Sequence, residues 1–410
     1  AHIASHDIKV VGVELDRKKR ALISSGCAHF HEPGLNEVLS KALQDSQLAV
    51  YDQLPDSKAT YIITIGTPLV DGSVLETPIF ELLENICAIA AKNALVILRS
   101  TVIVGTTKKL ASLCASYGRE DIDIAFCPER TIEGAALEEL KRLPQIVSAD
   151  DSAVLDRADE FFTTFSGSVL RVSGSKVGEM AKLVANVQRD MQFASANAFA
   201  SLCAACGISY GAMAEAACRD YDRLTLPMPG PVGGPCLSKD TYLLTRAFDG
   251  DMPAVSFFEG GRRVNESLGA DVIRSVRAWI AANQLGADLL VAVVGVTFKP
   301  YPATSDVRGS TAIEIIHTLL DNLPAANVVV VDDIARELDV YLPDIAVYEE
   351  LARLPRQPDV FVYHTPSAQK THGLESYLNC IKDSTLVYEC WSSGLSVSNP
   401  NVRVVGLGEP

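Results

Sequence analysis

Residues 9–16 read KVVGVELD: a β-branched run from Lys9 to Val13, then Glu14, with the periodic segment Arg17 to Ser24 behind it. A Val-rich run of this length fits a pleated strand, and the segment after it fits a helix. An acidic residue at the end of such a strand is where a dinucleotide fold holds the adenosine ribose hydroxyls, and Glu14 stands in that place. In that fold the strand is itself preceded by another strand, a G-x-G-x-x-G turn and a helix. Only the tail of that helix, Ala1 to Ser5, stands before Lys9, and the glycine fingerprint does not occur. Residue 1 is therefore expected to fall in the middle of a domain, with a strand and a Gly-rich turn upstream of it.

Working outward, strand-like runs recur at Tyr61 to Ile65, Leu95 to Leu98 and Ile122 to Phe126, separated by helix-period segments at Pro78 to Ala91 and Thr106 to Ser116. Strands alternating with helices predict a doubly wound parallel α/β sheet over residues 1–172. The pattern then changes. Lys176 to Cys206, Tyr210 to Arg219 and Pro253 to Ala282 carry helix formers without a strand signal, so residues 173–284 read as a helical domain. After Gly286 alternation returns, with strands expected at Leu289 to Val296, Asn327 to Val331, Val360 to Tyr363 and Thr385 to Tyr388, and a helix at Thr311 to Asp321. Residues 285–410 are thus a second α/β domain, without a residue-level repeat of the first.

Length and composition set limits. With 410 residues, 48% hydrophobic and 21% charged, and Gly and Pro scattered, the chain is neither disordered nor collagenous. A formal charge of −15 repels a phosphate backbone, so no nucleic-acid partner is expected. No apolar run approaches the ~18 residues of a membrane span, and no basic leader with a cleavage site precedes Lys9. A soluble protein without membrane insertion is expected. Of ten cysteines, most lie in apolar stretches (Cys87, Cys114, Cys203, Cys206, Cys218), where a free thiol packs as a small hydrophobe. Cys203 and Cys206 form a C-x-x-C, yet no second pair stands at zinc spacing, so no metal site is read and the compartment is expected to be a reducing cytoplasm.

Four stretches carry candidate chemistry. In Pro229–Asp240 (PGPVGGPCLSKD), Gly and Pro exclude regular structure up to Pro235, and the residues that follow are helix-compatible, which puts Cys236 at or near a helix N-terminus. Backbone N–H groups and the helix dipole favour a thiolate there. Asp240 is one turn on, where a carboxylate orients water or accepts a proton. A Gly-rich turn with a half-buried cysteine and a surface aspartate satisfies the same letters. Lys182 and Asn186 stack at i, i+4, a cation beside an amide donor, suited to a developing oxyanion. A solvated helix face with a Glu179–Lys182 ion pair is the bland alternative. Cys127-Pro-Glu129-Arg130 and Glu133 put carboxylates in a loop at the end of a strand, and Lys299 and Arg308 put two cations after the first strand of the last domain, where a diphosphate could dock. Gly66-Thr67-Pro68 and Arg99-Ser100-Thr101, each directly after a strand, fit cofactor contact or plain helix capping.

In this order HEPGL (31–35), GTP (66–68), RSTVIVGTT (99–107), CPER (127–130), EMAKLVANVQR (179–189), GGPCLSKD (233–240), VTFKP (296–300) and SDVRGS (305–310) resemble the UDP-glucose/GDP-mannose dehydrogenase family, the nucleotide-sugar 6-dehydrogenases. The resemblance implies two Rossmann-like doubly wound parallel-sheet domains, the first for NAD and the second for the UDP-sugar, joined by a helical dimerisation domain that makes a homodimer. It implies four-electron oxidation at the sugar C6 through a Cys236 thiohemiacetal and thioester, with Lys182 and Asn186 stabilising the oxyanion, Asp240 assisting proton transfer, and Glu133 and Thr101 holding the water. It assigns NAD contacts to Glu14, Arg17, Gly66, Thr67, Pro68, Ser100, Thr101 and Glu133. It assigns substrate contacts to Glu129, Arg130, Lys182, Asn186, Gly233, Gly234, Lys299 and Arg308, with Arg223 reaching the sugar from a neighbouring subunit.

Within the family, CPERTIEGAALEELKRLPQIV (127–147) looks like the UDP-N-acetylmannosamine branch, which makes uronic acids for surface polysaccharides. UDP-glucose 6-dehydrogenase is the alternative of the same class, and a non-catalytic nucleotide-sugar-binding protein without the cofactor cradle is the alternative of another class. Ser148-Ala149 stands where glycines are common and Ala198 where an acid is usual, departures that touch packing.

Overall fold

The KVVGVELD stretch forms strand β1 (Val10–Val13) and leads into the helix Arg17–Ser24. Asp16 caps that helix by accepting the N–H groups of Lys18 (2.8 Å) and Lys19 (3.0 Å), which satisfies two of its orphan donors. A helix at Leu35–Gln44 returns the chain to β2 (Leu48–Tyr51), parallel to β1 with Val10 opposite Leu48. The computed structural model describes residues 1–286, 288–335 and 337–409 and divides the chain into two units, 1–186 with 242–252 and 187–241 with 253–410.

The first unit continues through β3 (Thr60–Ile63), the small antiparallel pair β4 (Leu69–Val70) and β5 (Ser73–Val74), then β6 (Leu95–Leu98), β7 (Asp123–Phe126), β8 (Gln145–Ala149) and β9 (Val169–Ser173). Its main sheet has the order β3-β6-β7-β8-β9, and β1 with β2 form a separate sheet. β6 is buried at all four positions, which explains its unbroken LVIL sequence: a strand covered on both faces has no polar side. One pairing departs from the parallel expectation, since β7 and β8 run antiparallel through Phe126 and Ser148. The chain leaves β7 through the CPER loop and the short helix Ala136–Arg142 and re-enters the sheet in the opposite direction.

The second unit contains β10 (Leu290–Val294), β11 (Asn327–Val331), β12 (Ala346–Tyr348), β13 (Val360–Tyr363), β14 (Thr385–Glu389) and β15 (Val402–Gly406). All pairings are parallel in the order β12-β11-β10-β13-β14-β15. The chain starts at the centre, winds to one edge, then crosses back to β13, and the reversal between β10 and β13 is where doubly wound sheets open a ligand crevice. One face packs on the helices Leu268–Asn283 and Thr311–Asn322 and the other on Ala368–Leu378.

The helices Ser175–Ala205, Tyr210–Cys218 and Gly234–Thr245 lie where helical character was expected. The helical character expected over Pro253 to Ala282 takes the form of two helices, Pro253–Glu266 and Leu268–Asn283. Ser267 separates them and turns its hydroxyl back on the Val264 carbonyl (2.8 Å), the local competition by which serine interrupts helices. Among the described residues no single helix is long and apolar enough to cross a membrane. All ten cysteines are free, with Cys203 buried and its C-x-x-C partner Cys206 exposed.

Candidate active site

In the first unit the loops at the carboxyl ends of β3 and β6 are tied to each other. Thr67 is 2% exposed and donates its hydroxyl to the Thr101 carbonyl (2.6 Å). Ser100 is likewise buried and donates to the Ile63 carbonyl (3.4 Å), so both hydroxyls read as cofactor contacts first serve to fix the loops. A Cβ added at Gly66 would meet nothing within 4 Å, which leaves open space at the end of β3, and Pro68 is exposed beside it.

Two carboxylates, half-buried Glu76 and buried Glu179, hold the RSTVIVGTT loop that carries Thr101. Glu76 accepts from the Ile103 N–H (2.9 Å) and the Thr106 hydroxyl (3.0 Å); burial pushes its carboxyl above the ordinary range despite those bonds. Glu179, 1% exposed, accepts from Gly105 N–H (2.6 Å), Thr107 N–H (2.8 Å) and the Thr107 hydroxyl (2.6 Å) at the start of helix Thr106–Ser116. It is therefore no surface partner of Lys182. Lys182 and Asn186, both half-buried, follow it along Ser175–Ala205 at the spacing read from the sequence.

The CPER loop is also internally held. Glu129 pairs with Arg99 and accepts the N–H groups of Arg130 (2.8 Å) and Thr131 (2.9 Å). Burial alone would raise its carboxyl, but Arg99 and the two amides outweigh it and hold it low. Arg130 donates to the Pro144 carbonyl. Glu32, the acid of HEPGL, accepts the Gly134 N–H (2.7 Å) and so fixes the turn that carries half-buried Glu133. The sequence reading passed over Glu76 and met Arg99 and Glu32 only as letters of motifs, without these partners; each faces a loop amide or carboxylate distant in the chain, and no local spacing announces that.

In the second unit the segment before Cys236 runs extended and irregular to Gly233, and the helix Gly234–Thr245 places Cys236 as its third residue, exposed. Gly234 has φ +88° and donates its N–H to the Gly309 carbonyl (2.6 Å); a Cβ there would collide with the Phe298 ring. A Cβ at Gly233 would collide with the same carbonyl. The two motifs GGPC and SDVRGS are thus in backbone contact, which no side chain larger than hydrogen would allow. Asp240, 1% exposed, is paired with its neighbour Lys239 (2.9 Å). Lys299 lies over the Phe298 ring at 5.4 Å, Arg308 is paired with Asp306 (2.6 Å), and exposed Arg223 lies over Tyr221 at 5.8 Å. Cys236, Asp240, Gly233, Gly234, Lys299, Arg308 and Arg223 belong to the second unit, and Lys182, Asn186, Thr101, Glu129, Arg130 and Glu133 to the first.

One carboxylate stands directly after β1 and another directly after β11, and they differ. Glu14 accepts one amide, Asp16 N–H (2.8 Å), while Arg20 pins its carbonyl (2.7 Å), an arrangement that leaves carboxylate capacity for a ribose diol, with exposed Arg17 beside it. Asp332 after β11 accepts from Val296, Ile334 and Ala335 N–H and pairs with Lys370 (3.0 Å). Its acceptor capacity is filled from within. The residues of the first unit therefore fit NAD: Glu14 keeps carboxylate capacity that suits a ribose diol, and the Gly66 and Ser100 loops stand at strand ends.

Fold and loops together define a dehydrogenase that takes NAD as its cofactor. The chain belongs to the UDP-glucose/GDP-mannose dehydrogenase family, whose NAD binding domain matches residues 1–166 and whose central domain matches residues 176–267. It is 30% identical over 332 residues to a UDP-N-acetyl-D-mannosamine dehydrogenase of Pyrococcus horikoshii, covering 78% of this chain and 77% of the relative. The corresponding protein of Escherichia coli K12 is 28% identical over 380 residues, with 88% and 89% covered. In fold it is similar to the solved UDP-D-ManNAc dehydrogenase of Pyrococcus horikoshii, with TM-score 0.88 and 24% identity over 99% of this chain and 95% of that one.

Proposed function

We propose that this NAD-dependent UDP-sugar dehydrogenase oxidises a UDP-N-acetylhexosamine, UDP-N-acetylmannosamine by preference, at C6 to the uronate for surface polysaccharide synthesis. The observation that carries the reading is the exposed Cys236 in the first turn of Gly234–Thr245, with buried Asp240 one turn behind it. The names of the relatives support the choice of sugar.

NAD, when bound, takes up a hydride at each of the two oxidations. Once the C6 alcohol is an aldehyde, the Cys236 sulfur adds to the carbonyl carbon and gives a thiohemiacetal, which holds the substrate between oxidations. Lys182 and Asn186 donate to the oxyanion that develops at C6. The thiohemiacetal, oxidised, is a thioester; water held by Thr101 and Glu133 adds to it, Asp240 assists in moving the proton, and the C–S bond breaks to release the uronate and the thiol. Glu129 and Arg130 shape the loop beside the sugar, and Gly233, Gly234, Lys299 and Arg308 receive the nucleotide, with Arg223 contributed by a neighbouring subunit. A division into domains 1–172, 173–284 and 285–410 is supported by matched spans ending at 166 and 267. Exposed Phe199, Leu202, Ile208 and Phe257 support a homodimer through the helical part, and ten free thiols support a reducing cytoplasm.

The test is turnover of the full-length protein with NAD and a panel of UDP-sugars. Two NADH per UDP-N-acetylmannosamine are expected; preference for UDP-glucose would replace the sugar, and no turnover of any member would sink the reading.

A further inference from the structure

Arg262 is 1% exposed and Asp190 is fully buried, and they pair at 2.6 Å inside the second unit. Replacing such a pair by apolar side chains of equal volume is often neutral or stabilising, so stability alone is a poor reason for it. Its geometry supplies another. The guanidinium donates to the Val232 carbonyl (3.0 Å) and to the Leu237 carbonyl (3.3 Å), four residues before and one after Cys236. Asp190 in turn accepts from Asn265 Nδ2 (2.8 Å) and the Thr241 hydroxyl (3.2 Å). Asn265 accepts from Asn197 (2.8 Å), and Asn197 exchanges two bonds with the backbone of Gly230, giving to its carbonyl (3.1 Å) and accepting its N–H (2.8 Å).

One connected buried network therefore grips residues 230–241 at Gly230, Val232, Leu237 and Thr241. Residues 230–233, Gly-Pro-Val-Gly, have no regular structure, so no ladder holds them. A guanidinium fork reaches two carbonyls and a carboxylate at once in fixed directions, which an ammonium does not do.

We propose that Arg262 is a positioning residue for the nucleophile, clamping the backbone on both sides of Cys236 so that its sulfur is held where it must attack. The proposal rests on Cys236 being the nucleophile. The clamp acts first on placement of the sulfur and changes nucleotide-sugar affinity far less, because the cations read as meeting the nucleotide, Lys299 and Arg308, stand on the 296–310 loop outside the clamped segment.

The test compares wild type, Arg262→Lys and Arg262→Met in the full-length protein. Arg262→Lys keeps the buried charge beside Asp190 and carries the test if the methionine variant does not fold. Three readouts are taken well below the thermal midpoint: kcat and KM with UDP-N-acetylmannosamine, calorimetric affinity for that sugar nucleotide, and the rate of Cys236 alkylation by iodoacetamide, followed on the Cys236 peptide by mass spectrometry. The expected result is kcat down on the order of 100-fold, KM and affinity within about threefold, and a changed alkylation rate, since a misplacement of about 1 Å costs that much. A merely structural role would lower the midpoint and move neither kcat nor alkylation. If Arg262→Lys keeps both within about twofold of wild type, the inference is overturned. Cys236→Ser run beside it separates the cases: an inactive serine variant with a fully active lysine variant overturns the clamp alone, whereas uronate release by the serine variant overturns the nucleophile.

Discussion

One oxygen of Glu179 receives both the N–H and the hydroxyl of Thr107, at 2.8 and 2.6 Å, while the other receives Gly105 N–H, so a single buried carboxylate closes the start of helix Thr106–Ser116. Glu179→Gln turns an amide donor against donors. Because hydrogen bonds to a charged acceptor contribute about 1.5–3 kcal/mol and a buried unsatisfied donor costs about as much, a loss of about 2–4 kcal/mol in urea unfolding is expected. A change below about 0.5 kcal/mol would mean that the cap does not hold the loop.

Gly178 lies against Ser148, the residue that stands where glycine is common in the family pattern. A Cβ at 178 would collide with Ser148 Oγ and sit 2.8 Å from its Cβ, and Ser148 is fixed by its bond to the Phe126 carbonyl (2.8 Å). Overpacking of this kind costs about 1–3 kcal/mol, so Gly178→Ala should lower the unfolding midpoint, and Ser148→Gly in the same chain should recover most of the loss. Equal midpoints for the single and double variants would contradict the contact.

His364 is buried between the Thr311 hydroxyl (2.7 Å) and the Thr365 hydroxyl (2.9 Å), and burial pulls its pKa down to about 3. The unfolded chain protonates this imidazole near its ordinary value of about 6.5, so below that pH the unfolded state binds more protons and stability falls as pH falls. The slope reaches about 1.4 kcal/mol per pH unit for one site. His364→Gln should flatten stability between about pH 6.5 and 5, a window above the titration of ordinary carboxylates. An unchanged slope in urea midpoints would contradict the assignment.

Gly233→Ala drives a methyl into the Gly309 carbonyl, backbone against backbone with no side chain to yield. GGPC and SDVRGS should separate, and uronate formation should fall by about 10- to 100-fold while NAD binding stays intact. Wild-type kcat in this variant would show that the contact does not place the site.

What was legible followed physical pattern. Arg17–Ser24, Thr106–Ser116, Leu95–Leu98, Asn327–Val331 and Val360–Tyr363 agree residue for residue with expectation, because each is a pure helix-period or β-branched run. Strands β8 and β9 were passed over, since QIVSA and VLRVS mix polar residues into short runs, and β8 is buried throughout despite its Gln and Ser. Cys236 was legible because Gly and Pro stop all regular structure just before a helix begins. Its anchors were not. Arg262 and Asp190 meet across 72 residues, and in sequence each is an ordinary charged position on a long helix. The bland alternative, a surface ion pair of Glu179 with Lys182, fails on the same ground: spacing tells which face a residue shares, and burial decides what that face meets.

The proposed reaction turns on covalent capture of the sugar at Cys236. Full-length Cys236→Ser, given NAD and UDP-N-acetylmannosamine and analysed for products by mass spectrometry, should bind the nucleotide sugar with affinity close to wild type and release no uronate. Uronate released at the wild-type rate, with two NADH per sugar, would contradict it.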